Sequence, residues 1–373
     1  MIESPLVRRF GRYGPWIGFA GAALLLLVVA PALLSGFRLS QLGMFLCYAI
    51  VAVGIGLAWG RGGMLTLGQG VFFGLGAYMM AMHMKISDAR LESEPVPDFM
   101  RIAGATELPA YWAPFGSAVV TVLGILFLPA LVALVLGLSI FRRRVKGAYF
   151  AILSQALVAA FAIMLVSYES TGGSNGLNRF NSFFGYALND PANQRAVFLL
   201  AATALLGVAL ITRQLMHSRY GELLVAVRDQ EERVRFLGYD PANVKLVAYV
   251  TAAFFAGIGG ALFVPLAGII SPSDVGVLPS IAFLIGVAIG GRSTLLGPIL
   301  GAIGVALAET VFSEQIPSGW IYLQGLLFVL VIGFMPAGLA GLWGWWARRR
   351  EPDGDGPDGG GDRAEPVAPG VTR

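Results

Sequence analysis

Tyr220-Gly-Glu-Leu-Leu-Val-Ala-Val-Arg-Asp-Gln-Glu-Glu-Arg-Val-Arg-Phe-Leu-Gly238 interrupts a chain that is apolar on both sides of it. The stretch predicts an amphipathic helix. Leu223, Val227, Val234 and Leu237 recur at helical spacing on one stripe, Arg228, Asp229, Glu231, Glu232, Arg233 and Arg235 cover the rest, and Gly238 suits a C-terminal cap. Over 213–245, six basic residues (Arg213, Arg219, Arg228, Arg233, Arg235, Lys245) stand against five acidic ones (Glu222, Asp229, Glu231, Glu232, Asp240). A helix lying on a membrane surface favours Lys and Arg with large apolar anchors. A near-even mixture beside a short apolar stripe reads better as a surface for a soluble protein. The residues expected to carry that docking are Tyr220, Gly221, Glu222, Leu223, Val227, Arg228, Asp229, Glu232 and Gly238.

The flanks place this helix in a membrane protein. Of 373 residues, 56% are hydrophobic and only 13% charged, with 50 glycines. Soluble domains carry about 25% charged residues, and in lipid glycine lets helices approach closely. A span needs about 20 mostly apolar residues. That rule predicts an all-α, polytopic protein with ten transmembrane helices near 16–35, 41–60, 64–84, 115–140, 147–167, 196–212, 246–270, 278–291, 294–313 and 320–342. The stretch 278–313 reads equally as a helix pair or as something re-entrant.

Basic clusters set the orientation. Arg8, Arg9 and Arg12 precede the first span, Arg142, Arg143, Arg144 and Lys146 follow the fourth, and Arg348, Arg349 and Arg350 follow the last. With both termini cytoplasmic, all three fall inside, as does the loop 213–245. The loop 85–112 falls outside, with three basic residues against five acidic. Residues 1–15 form a short cytoplasmic lead and 16–342 the membrane domain. The run Trp16–Leu34 is long for a cleaved signal core and reads as an uncleaved span. The Gly/Asp-rich segment 343–373 cannot bury a core and reads as a disordered cytoplasmic tail.

Several chemistries are excluded. The lysines are Lys85, Lys146 and Lys245, and none has the Gly-Lys-Ser/Thr context of a phosphate-binding loop, so either another subunit hydrolyses ATP or an ion gradient drives transport. His83, His217 and Cys47 are too few to assemble a usual zinc or iron site, and no cofactor or metal is expected. A formal charge of +4 is too small to suggest nucleic acid. Lipid is the surrounding medium.

Polar residues within spans are candidates for a translocation path: Thr66, Gln69, Ser154 and Gln155, with Gln324 and the single intramembrane acid, Glu309. Each has a plainer reading, interhelical hydrogen bonding for the neutral residues and an interfacial position for Glu309. Gly62-Gly-Met-Leu-Thr-Leu-Gly68 and Gly290-Gly-Arg-Ser-Thr-Leu-Leu-Gly297 resemble each other. They read as matching elements of a repeat, as short non-helical segments lining a cavity, or as ordinary glycine-rich helix starts. Small-xxx-small spacings at Gly70/Gly74, Gly286/Gly290 and Gly297/Gly301 predict tight helix crossings.

These residues carry a family resemblance. Gly62–Ala77, the segment 219–241, Gly257-Ile-Gly-Gly-Ala-Leu262 and Val287-Ala-Ile-Gly-Gly-Arg-Ser-Thr-Leu-Leu-Gly-Pro298 resemble the permease subunits of branched-chain amino-acid-type ABC importers, the LivM-like group, over about residues 40–342. Leu46–Ile50, Pro97–Met100, Glu107–Trp112, Thr171–Leu177 and Phe312–Tyr322 resemble the urea-importer permeases within that group, while the Gly/Asp-rich tail departs from it. The resemblance implies a bacterial inner-membrane permease, not itself an enzyme, paired with a second permease as a heterodimer. It also implies two cytoplasmic ABC ATPases and a periplasmic urea-binding protein. The segment 219–241 would then sit in an ATPase groove. The near alternative is an importer of branched-chain amino acids or short amides, for which Glu309 gains importance. The distant one is a stand-alone secondary carrier or urea channel.

Overall fold

The computed structural model describes residues 18–315 except 103 and 146, together with 319, 322–326, 329–330 and 338. The expected leader 1–15, the tail 343–373 and most of the expected span 320–342 lie outside the described residues.

The described chain is built of helices: α1 (Gly18–Leu33), α2 (Gly36–Arg61), α3 (Gln69–Leu91), α4 (Ala118–Arg142), α5 (Gly147–Ser167), α6 (Pro191–Met216), α7 (Arg219–Phe236), α8 (Pro241–Ala267), α9 (Val277–Gly290) and α10 (Leu296–Gln315). Strands are two residues long: Leu177–Asn178 pairs antiparallel with Ile269–Ile270, and Ser182–Phe183 with Tyr186–Ala187. Six helices (α2, α4, α5, α6, α8 and α10) are long and apolar enough to cross a bilayer, and α1 and α9 are shorter apolar helices. At 14 residues α9 rises only about 21 Å, less than the roughly 30 Å hydrocarbon core. The stretch 278–313 is therefore a hairpin of one short and one longer helix.

The third expected span is displaced. Residues 63–68 are non-helical, and the helix begins at Gln69 and runs on to Leu91, so Lys85, Asp88 and Arg90 lie on α3 instead of in a loop. Each of these charges has a partner: Lys85 and Asp88 bond residues 179–182, and Arg90 donates to the Gly116 carbonyl at 2.7 Å.

Burial separates a core from a periphery. The apolar window of α2 is 78% buried and that of α8 72%, against 22% for α4 and 28% for α5. α8 packs on α3, α2 and α4, while α2 also contacts α6 and α10. The outward apolar faces of α4 and α5, including Val119, Phe127, Leu131, Ile152 and Ile163, suit lipid or a partner helix. At the α9–α10 crossing a Cβ on Gly290 or Gly301 would collide with the backbone of Gly297 or Gly286, so the predicted small-residue spacings mark true backbone contact.

The two ends of the bundle differ in charge. Arg61, Arg142–Arg144, the segment Arg213–Lys245 and Arg292 gather at one end, where Arg228 reaches Gly60 and a groove joins Arg144 to Arg233 and Lys245. The opposite end holds residues 83–117, 168–194 and 267–276. Of the basic clusters expected on one side, Arg142–Arg144 lies at the α7 end, while Arg8, Arg9, Arg12, Lys146 and Arg348–Arg350 lie outside the described residues.

Candidate functional site: a tethered cytoplasmic-type helix and a broken-helix path

α7 starts where Ser218 caps it, its hydroxyl accepting from the Gly221 N–H at 3.4 Å. Gly221 lies against the carbonyls of Leu215 and Met216, where a Cβ would sit 2.5 Å from each oxygen, so α7 can turn back sharply off α6. Tyr220 is half-buried and donates its hydroxyl to the Val244 carbonyl at 2.9 Å, stapling α7 to α8. Burial pushes its phenol pKa up.

The inner stripe of α7 is Leu224, Val227 and Val234, all buried, with Leu223 half-buried beside them. Leu237 was expected on this stripe but is 76% exposed. The cause is a break at Gln230 (φ −149°, ψ 73°), which divides α7 and resets the helical phase. Beyond it, Phe236 (90% exposed), Leu237 and Tyr239 form an apolar tip. Gly238, at φ +88°, ends the helix. Its N–H donates to Arg235 and that of Tyr239 to Val234, the bonding pattern of a Schellman cap.

Charges on α7 divide into tethers and an outer face. Arg228 donates from Nη1 to the Gly60 carbonyl at 2.9 Å and from Nε to Asp229 at 2.8 Å. Its stem lies over Gly63, while Leu224 packs against Gly62. The hydrogen bond from Arg228 holds the Asp229 carboxyl below the usual carboxylate range. Glu231 accepts from Lys245 at 2.6 Å and from Arg235 at 3.4 Å. Glu222 and Glu232 are exposed, the latter 3.5 Å from Arg235. Neither the Gln230 break nor the Glu231–Lys245 pair was visible in the helical spacing. Only the opposite charges 14 residues apart hinted at the pair.

The segment touched by α7 is where α2 gives way. Residues Gly56–Arg61 widen into a π-helix, and the chain then runs non-helical from 63 to 68, with Gly63 at φ +68°. π-turns often mark functional positions. The second glycine-rich segment meets the first here: a Cβ on Gly60 would collide with the Arg292 carbonyl, and the Arg292 guanidinium lies 4.9 Å from the Trp59 ring centre. Residues 291–295 form a turn, so both segments are non-helical.

The structure brings Thr66, Gln69 and Ser154 together around this break. Ser154 Oγ accepts from the Leu67 N–H at 3.1 Å and donates to Ala151, and Thr66 Oγ1 accepts weakly from Gly68 at 3.4 Å. Gln69 is 1% exposed, yet neither its Nε2 nor its Oε1 has a hydrogen-bond partner; Gln155 Oε1 is buried in the same state. Sequence reasoning missed Ser280 on α9, whose Oγ accepts from the Gly70 N–H at 3.2 Å and donates to Gly276. Its signal was weak, a lone serine in an apolar helix.

Glu309 lies elsewhere. With Tyr48, Asp274, Phe283 and Gln324 it lines a cavity of about 280 Å³. Tyr48, Phe73, Phe263 and Phe283 form one ring cluster with centroid separations of 5.4–6.3 Å, and Tyr48 and Phe283 belong to both cluster and cavity. Asp274 is committed locally, accepting from the Ser271 N–H and hydroxyl at 2.8 and 2.7 Å.

Residues 37–336 match the family described as branched-chain amino acid transport system / permease component. The chain is 28% identical to the high-affinity branched-chain amino acid transport system permease protein LivM of Escherichia coli, over 86% of this chain and 74% of that protein. It is 24% identical to BraD of Pseudomonas aeruginosa and to LivH of Escherichia coli, each over 79% of this chain and 91% of the relative. No solved structure matches. A family match over most of the bundle, together with membrane-length helices and a charged helix tied to a broken one, makes this chain a member of the branched-chain amino acid ABC permease family, a non-catalytic, multi-pass subunit of the inner membrane.

Proposed function

We propose that the chain is the solute-conducting permease of an ATP-driven urea importer, working as a heterodimer with a second permease. Two cytoplasmic ATPases supply the energy, and a periplasmic binding protein delivers urea. Both termini and α7 face the cytoplasm, where the exposed acids and the apolar tip of α7 meet an ATPase. The observation that carries this reading is the Arg228–Gly60 bond. A pull on α7 passes through Arg228 and Leu224 into Gly60–Gly63, and so into the non-helical segment that ends at Gln69. A rigid-body shift of α7 would then reshape the break between α2 and α3.

Urea suits such a path. It is neutral, with amide donors and a carbonyl acceptor, and Thr66, Gln69, Ser154 and Gln155 present hydroxyl and carboxamide groups without a charge among them. The stretches Pro97–Met100 and Thr171–Leu177 that resemble urea-importer permeases add to this reading. A second reading, import of branched-chain amino acids, is favoured by the names of the relatives and by Glu309 in the 280 Å³ cavity, a carboxylate able to pair with an ammonium.

Radiolabelled urea and leucine uptake by the full complex, expressed in cells lacking their own importers, separates the two. Urea uptake that unlabelled leucine does not compete away is expected, and leucine uptake alone overturns the urea assignment. Deleting 221–238 should abolish uptake while leaving membrane insertion intact. Undiminished uptake would contradict the coupling role.

A further inference from the structure

The Gln69 side chain is the least explained polar group in the described bundle. Among the described residues it alone leaves both ends of a buried carboxamide without a partner. At 1% exposure within a single chain, Gln69 is also beyond reach of a partner subunit docking on the surface. A buried amide without hydrogen bonds is costly, and a leucine of similar volume would carry no such cost.

Its surroundings give it a use. Gln69 is the first residue of α3, directly after the non-helical segment 63–68. Its neighbour Gly68 abuts Ser154 on α5, and its neighbour Gly70 abuts Ser280 on α9, so three elements converge on this point. One helical turn further along α3 stands Phe73, in ring contact with Phe283, Phe263 and Tyr48. Tyr48 and Phe283 in turn line the 280 Å³ cavity. Phe73 therefore links the start of α3, where Gln69 sits, to the ring cluster that borders the cavity, and the non-helical segment 63–68 on the other side of Gln69 lies under α7.

Resting on the urea-import reading above, we propose that Gln69 is the specificity-determining residue of the path, an amide receptor behind an aromatic constriction. A primary carboxamide and urea are complementary: the Gln69 oxygen accepts one urea N–H while its NH₂ donates to the urea carbonyl. No charge is required on either side. Parting of the rings admits the solute, and pairing with it satisfies the two atoms that the closed protein leaves bare. A solute lacking the paired donor and acceptor gains nothing at this position, so the residue selects by leaving itself unpaired for the wrong molecule.

The test uses the full complex with its ATPases and binding protein, carrying Gln69→Leu and, separately, Gln69→Met. Both variants remove the amide and keep the volume. Assembly and thermal stability should be equal to or above wild type, and ATP hydrolysis should persist. Urea uptake at sub-saturating concentration should fall about tenfold, from the loss of two hydrogen bonds, and competition by unlabelled formamide and acetamide should weaken in parallel. Wild-type uptake with unchanged uptake and competition in either folded variant overturns the role of Gln69 and leaves a structural water as its partner. Absence of urea uptake by the wild-type complex overturns the importer reading and the amide pairing with it. Loss of assembly in both variants assigns Gln69 to structure and also overturns the proposal.

Discussion

The two ends of this bundle use the same kinds of bond in opposite surroundings. At the end away from α7, Asp88 is 6% exposed and accepts from the Asn181 N–H at 2.8 Å and the Ser182 hydroxyl at 2.6 Å. Lys85, equally buried, donates to the Arg179 carbonyl at 3.1 Å, and His83 Nδ1 donates to the Phe115 carbonyl at 2.8 Å. These ties clamp Phe115 and residues 179–182 onto α3, largely out of water. At the α7 end, Arg228, Glu231 and Lys245 make bonds just as short, yet their side chains are 36%, 37% and 19% exposed. Water competes there, so breaking a tie costs little. Under the proposed coupling role, the first end stays shut while the second moves.

Substitutions that remove one tie at a time probe this difference, and the largest effect belongs to the buried clamp. Asp88→Ala leaves two buried donors without an acceptor and should cost about 3 kcal/mol, read as a lower midpoint in detergent unfolding. Arg228→Ala at the opposite end should cost only about 1 kcal/mol. ATP-driven uptake should nevertheless fall severalfold while the ATPases keep hydrolysing. Equal stability losses at the two positions would erase the distinction.

Gly238→Ala forces a Cβ into the left-handed cap at φ +88° and should destabilise α7 by about 1 kcal/mol, seen as faster amide exchange over 231–238. Lys245→Ala should cost about 0.5 kcal/mol and lose even that in high salt. The smallest effect is pH-dependent. Because Arg228 depresses the folded-state pKa of Asp229, their contribution is present above the ordinary carboxylate pKa and is lost as pH falls through the depressed value. Amide exchange of α7 should therefore quicken only in acid, with no change between neutral and alkaline pH.

Hydropathy revealed the long apolar helices, and mixed charge revealed α7, because both are properties of contiguous residues. What lay hidden was non-local. A helical wheel assumes an unbroken 100° per residue, so the break at Gln230 turned Leu237 outward against expectation. Lys85 and Asp88 read as loop charges because their partners, Arg179, Asn181 and Ser182, lie more than ninety residues away. Hydropathy places spans at 41–60 and 64–84, whereas the chain is non-helical from 63 to 68. Its glycines marked the site without stating the conformation. Gln69 was legible as a polar residue in a span, but its lack of partners appears only once α5 and α9 are in place around it.

Reconstitution in liposomes measures whether the gate is worked from outside the chain. Urea accumulation against a gradient should require the second permease, the ATPases, the binding protein and ATP together, and it should vanish when the ATPases are omitted. Concentrative uptake by this chain alone would contradict the account.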